Sequence, residues 1–244
     1  MSIDSKRRRG IYLLPNLFTT AGLFAGFYAV ISAMNGKFEA AAIAIFVAMV
    51  MDGFDGRVAR MTNTESDFGK EYDSLADMVS FGLAPALVIY QWALAPLGKI
   101  GFVGAFVFAA GAALRLARFN TQVGIADKRY FQGLASPAAA ALIAGVVWVG
   151  DDWAWIREDL SIVALVLTVA AGLLMVSNVR YYSFKDVNLK GRVPFVKILI
   201  VVGLFGLVAM DPPMVLFGMA FLYAVSGLIL TLVQLKQRRA ERRA

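Results

Sequence analysis

Apolar stretches long enough to cross a lipid bilayer follow one another along the whole chain, and that repetition constrains the fold more than any other feature. A helix needs ~17–25 mostly apolar residues to span the hydrocarbon core. Eight such stretches are legible, at roughly 12–33, 38–58, 73–94, 99–117, 134–150, 160–178, 194–210 and 213–235. Their length selects helices, because barrel strands are ~10 residues of alternating polarity. Turn chemistry separates several of them: Asn35-Gly36, Gly191 ahead of Pro194, and Asp211-Pro212-Pro213. Over 244 residues, 59% are hydrophobic and only 17% are charged, whereas soluble domains run near ~45–50% and ~25%. The expected fold is all-α, a polytopic integral membrane helix bundle of about eight transmembrane helices. It fills residues 1–244 as one membrane domain, with no internal repeat.

Basic residues set the expected orientation. With the N-terminus in the cytoplasm and eight alternating spans, 21 of the 24 Lys and Arg residues fall on the cytoplasmic side. Only Lys37, Lys99 and Arg157 fall outside, where Asp151, Asp152, Glu158 and Asp159 make an acidic loop. An odd number of spans strands one basic terminus on the wrong side. Both termini are therefore expected in the cytoplasm. The stretch Lys6–Arg9 before an apolar run also has the look of a signal peptide. The run is longer than the usual signal core and holds Pro15-Asn16 near its start, so a retained first span is expected. The net charge of +7 points to anionic lipid headgroups rather than nucleic acid in so apolar a chain. Trp92, Trp148, Trp153, Trp155, Tyr181 and Tyr182 lie near span ends and are expected to form an interfacial aromatic belt.

The chain has no Cys and no His, which excludes thiol nucleophiles, zinc–thiolate sites and imidazole bases. Acidic residues must carry any chemistry, and they gather in one place. The turn between the second and third spans reads Met51-Asp52-Gly53-Phe54-Asp55-Gly56-Arg57-Val58-Ala59-Arg60, then Gly69-Lys70-Glu71-Tyr72-Asp73-Ser74-Leu75-Ala76-Asp77. Asp52 and Asp55 are three apart and Asp73 and Asp77 four apart, so each pair shares a helix face. If the two helices are antiparallel neighbours, four carboxylates converge at the cytoplasmic end. Such a group repels itself unless cations join it. One or two hard divalent ions, Mg²⁺ or Mn²⁺, suit an all-oxygen site, and a pair of them forms a clamp for phosphoryl displacement. Gly56 and Ala59 leave room beside Asp55, and Arg60, one turn on, can meet a phosphate. The plainer alternative is that the carboxylates pair with Arg57, Arg60 and Lys70 and simply hold two helix ends together.

Written as a pattern, the segment is D-x2-D-G-x2-A-R-x8-G-x3-D-x3-D, from Asp52 to Asp77. It resembles the signature of the CDP-alcohol phosphotransferase family at every fixed position. Softer similarity extends through Pro15-Asn16-Leu17-Phe18-Thr19, Ala117-Arg118-Phe119-Asn120, Gly133-Leu134-Ala135-Ser136-Pro137 and Ser177 to Lys185, which look like the branch that uses L-serine. The resemblance implies a six-helix catalytic core, commonly a homodimer, in a membrane that compactness suggests is a bacterial inner membrane. It implies the reaction CDP-diacylglycerol + L-serine → phosphatidylserine + CMP, with two divalent ions. Asp52, Asp55, Asp73 and Asp77 become metal ligands, and Asp77 also the general base. Pro15, Asn16, Gly56, Ala59, Arg60 and Ser66 become contacts for CDP-diacylglycerol.

Serine carries a carboxylate and an ammonium, so its pocket needs a cation and oxygens. Arg118 with Asn120, Arg180 with Lys185, and Ser136 are cytoplasmic candidates. Each of the basic residues can equally be a charge that sets topology, and Ser136-Pro137 a helix start. Two other readings stay open. Another acceptor alcohol, glycerol 3-phosphate or an inositol phosphate, would use a basic cluster near the aspartates. A cation- or proton-coupled transporter would use intramembrane carboxylates, but near mid-span and usually with repeats.

Overall fold

The computed structural model describes residues 3–62, 64, 66–121, 130–153, 157–182 and 195–241. Among these the chain forms eight helices in sequence: α1 (Ile3–Met34), α2 (Phe38–Thr62), α3 (Asp67–Leu97), α4 (Lys99–Thr121), α5 (Ser136–Asp152), α6 (Arg157–Val176), α7 (Phe195–Met210) and α8 (Pro212–Glu241). The number and order match the eight apolar stretches. Five of the helices are long and apolar enough to cross a bilayer: α1 from Leu14, α3, α4, α6 from Asp159, and α8 to Val233. The protein is an all-α, polytopic membrane protein. Of the remaining three, α2 ends in a charged turn, α5 has 17 residues and α7 has 16.

Local chemistry sets the ends. Gly36 takes the left-handed φ of 72° that lets the chain reverse between α1 and α2. Ser66 is the N-cap of α3, its Oγ accepting from the Gly69 amide at 3.0 Å. Asp211 caps α8 by accepting from the Met214 amide at 3.1 Å. Helix α1 starts at Ile3 rather than near residue 12, because the Lys and Arg of its first turns are good helix formers and need not lie in hydrocarbon. Pro15 sits inside it. Helix α3 is not uniform: Met78–Leu83 and Tyr90–Leu94 are π-helical, and Ala95–Leu97 closes it as a 3₁₀ turn. Such widened turns are frequent beside functional residues. Two short strands, β1 (Tyr130–Gln132) and β2 (Arg180–Tyr182), pair antiparallel with Phe131 opposite Tyr181.

The bundle is assembled through small residues. Helix α1 packs along α2 and also against α3; α4 packs on α6, α5 on α8, and α2 on α5. A Cβ added at Gly26 would lie 2.6 Å from Ser80 Oγ, and one at Gly111 would lie 2.5 Å from the Gly172 carbonyl oxygen. Backbones therefore touch where hydrophobic driving force between helices is weak. The interior is rich in alanine, with Ala29, Ala41, Ala42, Ala48, Ala84, Ala112, Ala139 and Ala144 all buried. Large side chains such as Phe24, Phe27, Phe106 and Phe205 point outward, the inverse of a soluble protein and the arrangement that lipid favours.

Two aromatic residues depart from the expected belt. Trp92 is 2% exposed and Tyr181 fully buried, with the Tyr181 hydroxyl donating to the Ala224 carbonyl at 3.1 Å. Position along the chain gives depth but not which way a ring turns. Trp153 and Tyr182 are exposed, as the belt requires.

Candidate active site

Three helices build the site. Near its C-terminal end α2 presents Asp52 and Asp55; α3 presents Asp73 and, one turn further on, Asp77. One carboxylate oxygen from each of Asp52, Asp55 and Asp73 lies within 4.8 Å of the others. Asp77 stands outside that trio but lines the same recess, together with Thr19, Gly22, Ala48, Ala76, Ser80 and Phe81. The expected convergence of four carboxylates therefore takes the form of three together and one alongside.

The third helix is α1, which lies against both of the others. Thr19 supplies its polar link: the hydroxyl is 2.8 Å from Asp55 Oδ2 and 3.2 Å from the Pro15 carbonyl oxygen. Both Thr19 and Asp55 are buried, each 5% exposed. On the other side of the recess, Ser80 donates to the Gly22 carbonyl at 3.1 Å, fixing the π-helical turn that follows Asp77. Thr20 and Tyr72 share a hydrogen bond of 2.9 Å.

No ion pair joins the aspartates to a basic side chain among the described residues. Lys70 pairs with Asp67 at 3.4 Å, and Arg157 pairs with Asp151 at 2.9 Å. Holding two helix ends together by salt bridges is thus not what this cluster does. Three carboxylates this close repel unless a cation joins them, and an all-oxygen donor set in a chain without His or Cys fits a hard divalent ion.

The residues expected to meet the nucleotide lipid stand near the recess in sequence but do not line it. Gly56 is exposed, and the nearest atom to a Cβ there would be Arg60 Nη2 at 4.0 Å. Ala59 is half-buried and Arg60 exposed. Pro15 is buried; Asn16 Oδ1 and Ser66 Oγ both approach Gly69, 3.5 and 3.1 Å from where its Cβ would be. The start of α3 and the start of the apolar part of α1 are thereby brought together.

The expected acceptor residues are used differently from one another. Asn120 Nδ2 donates to Ser74 Oγ at 3.0 Å, beside Asp73. Arg118 Nη2 donates to the Val176 carbonyl at 2.7 Å and Nη1 to that of Ser177 at 3.5 Å, closing the end of α6. Ser136 does not cap α5 with its side chain, since Ala135 is the N-cap. Instead it is fully buried and accepts from Arg115 Nη1 at 2.8 Å. The Arg180 amide donates to Thr231 Oγ1 at 3.0 Å. Lys185 lies outside the described residues.

Sequence reasoning missed Thr19 and Arg115. In the sequence Thr19 stands only within the segment Pro15–Thr19, and Arg115 only among the basic residues that set topology, although an arginine inside an apolar stretch is itself a signal of function.

The fold and the site are those of a membrane helix bundle with an acidic cluster where α2 and α3 meet. The family described as CDP-alcohol phosphatidyltransferase matches residues 12–175. The chain belongs to that family and is an enzyme of phospholipid synthesis. It is similar to the CDP-diacylglycerol–serine O-phosphatidyltransferase of Helicobacter pylori strain J99, 36% identical over 92% of this chain and 94% of that protein. The protein of the same name in Mycobacterium tuberculosis H37Rv is 38% identical over 60% of this chain and 54% of its own. The archaetidylserine synthase of Methanothermobacter thermautotrophicus is 33% identical over 73% of each.

Proposed function

We propose that the protein transfers the phosphatidyl group of CDP-diacylglycerol to the hydroxyl of L-serine, giving phosphatidylserine and CMP. The observation that carries this reading is the Asp52–Asp55–Asp73 trio with Asp77 beside it. It occurs in a chain similar over nearly its full length to a protein named for this reaction. The site faces the cytoplasm with both termini on that side, a proposal supported by the Lys and Arg distribution.

Asp52, Asp55 and Asp73 would hold one divalent ion, Mg²⁺ or Mn²⁺, and Asp77 would share in holding a second. Such ions would supply positive charge to the diphosphate and to the charge that grows on the departing CMP. Arg60 adds a positive charge. Gly56 and Ala59 leave the α2 backbone approachable by the nucleotide, and Asn16 and Ser66 offer polar atoms near the start of α3. The acyl chains stay in lipid. Asp77 accepts the proton of the serine hydroxyl as that oxygen bonds to the diacylglycerol-bearing phosphorus. The phosphoanhydride bond breaks on the opposite side, and CMP leaves with the electron pair.

Thr19 orients Asp55 from the far side of the cluster. A hydroxyl-for-methyl exchange, Thr19→Val, keeps the volume and deletes this hydrogen bond. It is expected to weaken divalent-ion affinity about 10-fold or more, read by titrating the purified protein with Mn²⁺ and following free ion by electron paramagnetic resonance. Affinity equal to the native protein's would remove Thr19 from that role.

The reaction is tested with purified protein, CDP-diacylglycerol and divalent ion, offered L-serine, glycerol 3-phosphate and inositol phosphate in turn. Phosphatidylserine is the expected lipid product, with CMP in equal amount. A product formed only with a phosphorylated acceptor would reassign the substrate within the family.

A further inference from the structure

Arg115 has no task in the reaction as described. It lies on α4 a turn and a half before the helix ends, within a segment apolar enough to span a bilayer. A guanidinium there is costly unless its donors are used. Only Nη1 is used among the described residues, by buried Ser136. Nε is buried without a partner, and Nη2 makes no hydrogen bond to any described residue. Its helix runs beside α3, with Asn120 hydrogen-bonded to Ser74 and Ala112 Cβ 3.1 Å from where a Cβ of Gly82 would be, so Arg115 lies between those two contacts, as Asp77 does on α3. No ion pair joins Arg115 to Asp77 among the described residues. The arginine therefore lies on the helix packed beside the proposed base and makes no ion pair with it, its fork held at one nitrogen and incomplete at the others among the described residues.

We infer that Arg115, steadied by Ser136, receives the carboxylate of the amino-acid acceptor and so selects serine over alcohols that lack one. This rests on the serine reading above and adds the residue that enforces it. In serine the hydroxyl and the carboxylate sit on adjacent carbons, so an acceptor whose hydroxyl meets Asp77 carries its carboxylate only a short way off. A planar guanidinium matches a carboxylate with two parallel hydrogen bonds, which a lysine cannot reproduce. An acceptor without a carboxylate leaves those buried donors unpaired, and sites of this kind discriminate strongly for that reason. Nε and Nη2 of Arg115 make no hydrogen bond among the described residues, whereas Arg118 is committed to the Val176 and Ser177 carbonyls.

The test uses the full-length protein in lipid nanodiscs with CDP-diacylglycerol and Mn²⁺. Native protein, Arg115→Lys, Arg115→Met and Ser136→Ala are compared for L-serine and for ethanolamine, which is serine without its carboxylate. Arg115→Met is expected to raise the KM for serine at least about tenfold, as loss of one charge-assisted contact does. The preference for serine over ethanolamine is expected to shrink by a similar factor, with Arg115→Lys intermediate. Ser136→Ala, a milder change, is expected to raise the serine KM a few-fold, and decides the matter if Arg115→Met does not fold. Serine KM values within twofold of native, with kcat alone reduced, would overturn the inference and leave Arg115 acting on Asp77 or on packing. Native protein that makes no phosphatidylserine would overturn the function itself, a failure visible before any variant is made.

Discussion

Turnover by Asp77→Asn is expected to fall about 100- to 10,000-fold, the usual contribution of a general base, while CDP-diacylglycerol and the divalent ion assigned to Asp52, Asp55 and Asp73 still bind. The asparagine fills the same space on α3 and keeps an oxygen toward the recess, so the trio of Asp52, Asp55 and Asp73 is undisturbed. It cannot accept the hydroxyl proton. The separation of Asp77 from that trio makes the experiment clean, because a residue central to the cluster would lose ion binding and proton transfer together. Single-turnover CMP release at saturating serine, beside equilibrium Mn²⁺ binding, reads the two quantities apart. Near-native turnover would take Asp77 out of the base role. Loss of Mn²⁺ binding in step with turnover would make it chiefly a ligand.

Asp55→Asn is expected to do the reverse and remove the ion. Asp55 is the most enclosed of the four, 5% exposed and hydrogen-bonded by Thr19, so no water-filled side replaces its carboxylate. Outer-shell partners of metal ligands are worth about 10- to 100-fold in affinity, and loss of the ligand itself is expected to exceed 100-fold. Activity should fall with it, and raising the Mn²⁺ concentration should restore part of the rate. The same substitution relieves repulsion within the cluster. Asp55→Asn in the ion-free state is therefore expected to be no less resistant to thermal unfolding than native protein. Unchanged Mn²⁺ affinity would mean that the cluster does not hold the ion.

The bundle was largely legible because a bilayer leaves few solutions to a run of apolar residues. Eight stretches became eight helices, and the turns at Asn35-Gly36 and Asp211 fell where local chemistry put them. Spacing along helices was also reliable. Asp52 and Asp55, three apart, and Asp73 on the next helix do meet. What spacing could not reveal is the role of α1. A short connection between α2 and α3 implied that the two hold each other, whereas α1 lies against both and contributes Thr19. That contact bridges 36 positions of sequence, beyond any local pattern. Rotation about a helix axis was the other hidden variable. Trp92 and Tyr181 turn inward rather than toward the interface. Arg115 and Arg118, three apart on α4, part company, one to Ser136 and the other to the end of α6. The π-helical turn after Asp77 adds to that uncertainty, because it shifts the register of every later side chain on α3.

In the proposed mechanism an ion held by these carboxylates makes the nucleotide-activated lipid reactive. The most direct measurement is CMP release from CDP-diacylglycerol and serine by protein stripped with chelator and then reloaded with Mn²⁺ in steps. Stripped protein is expected to release none, and the rate to rise with the ion bound at Asp52, Asp55 and Asp73. CMP formed at the native rate by fully stripped protein would contradict it.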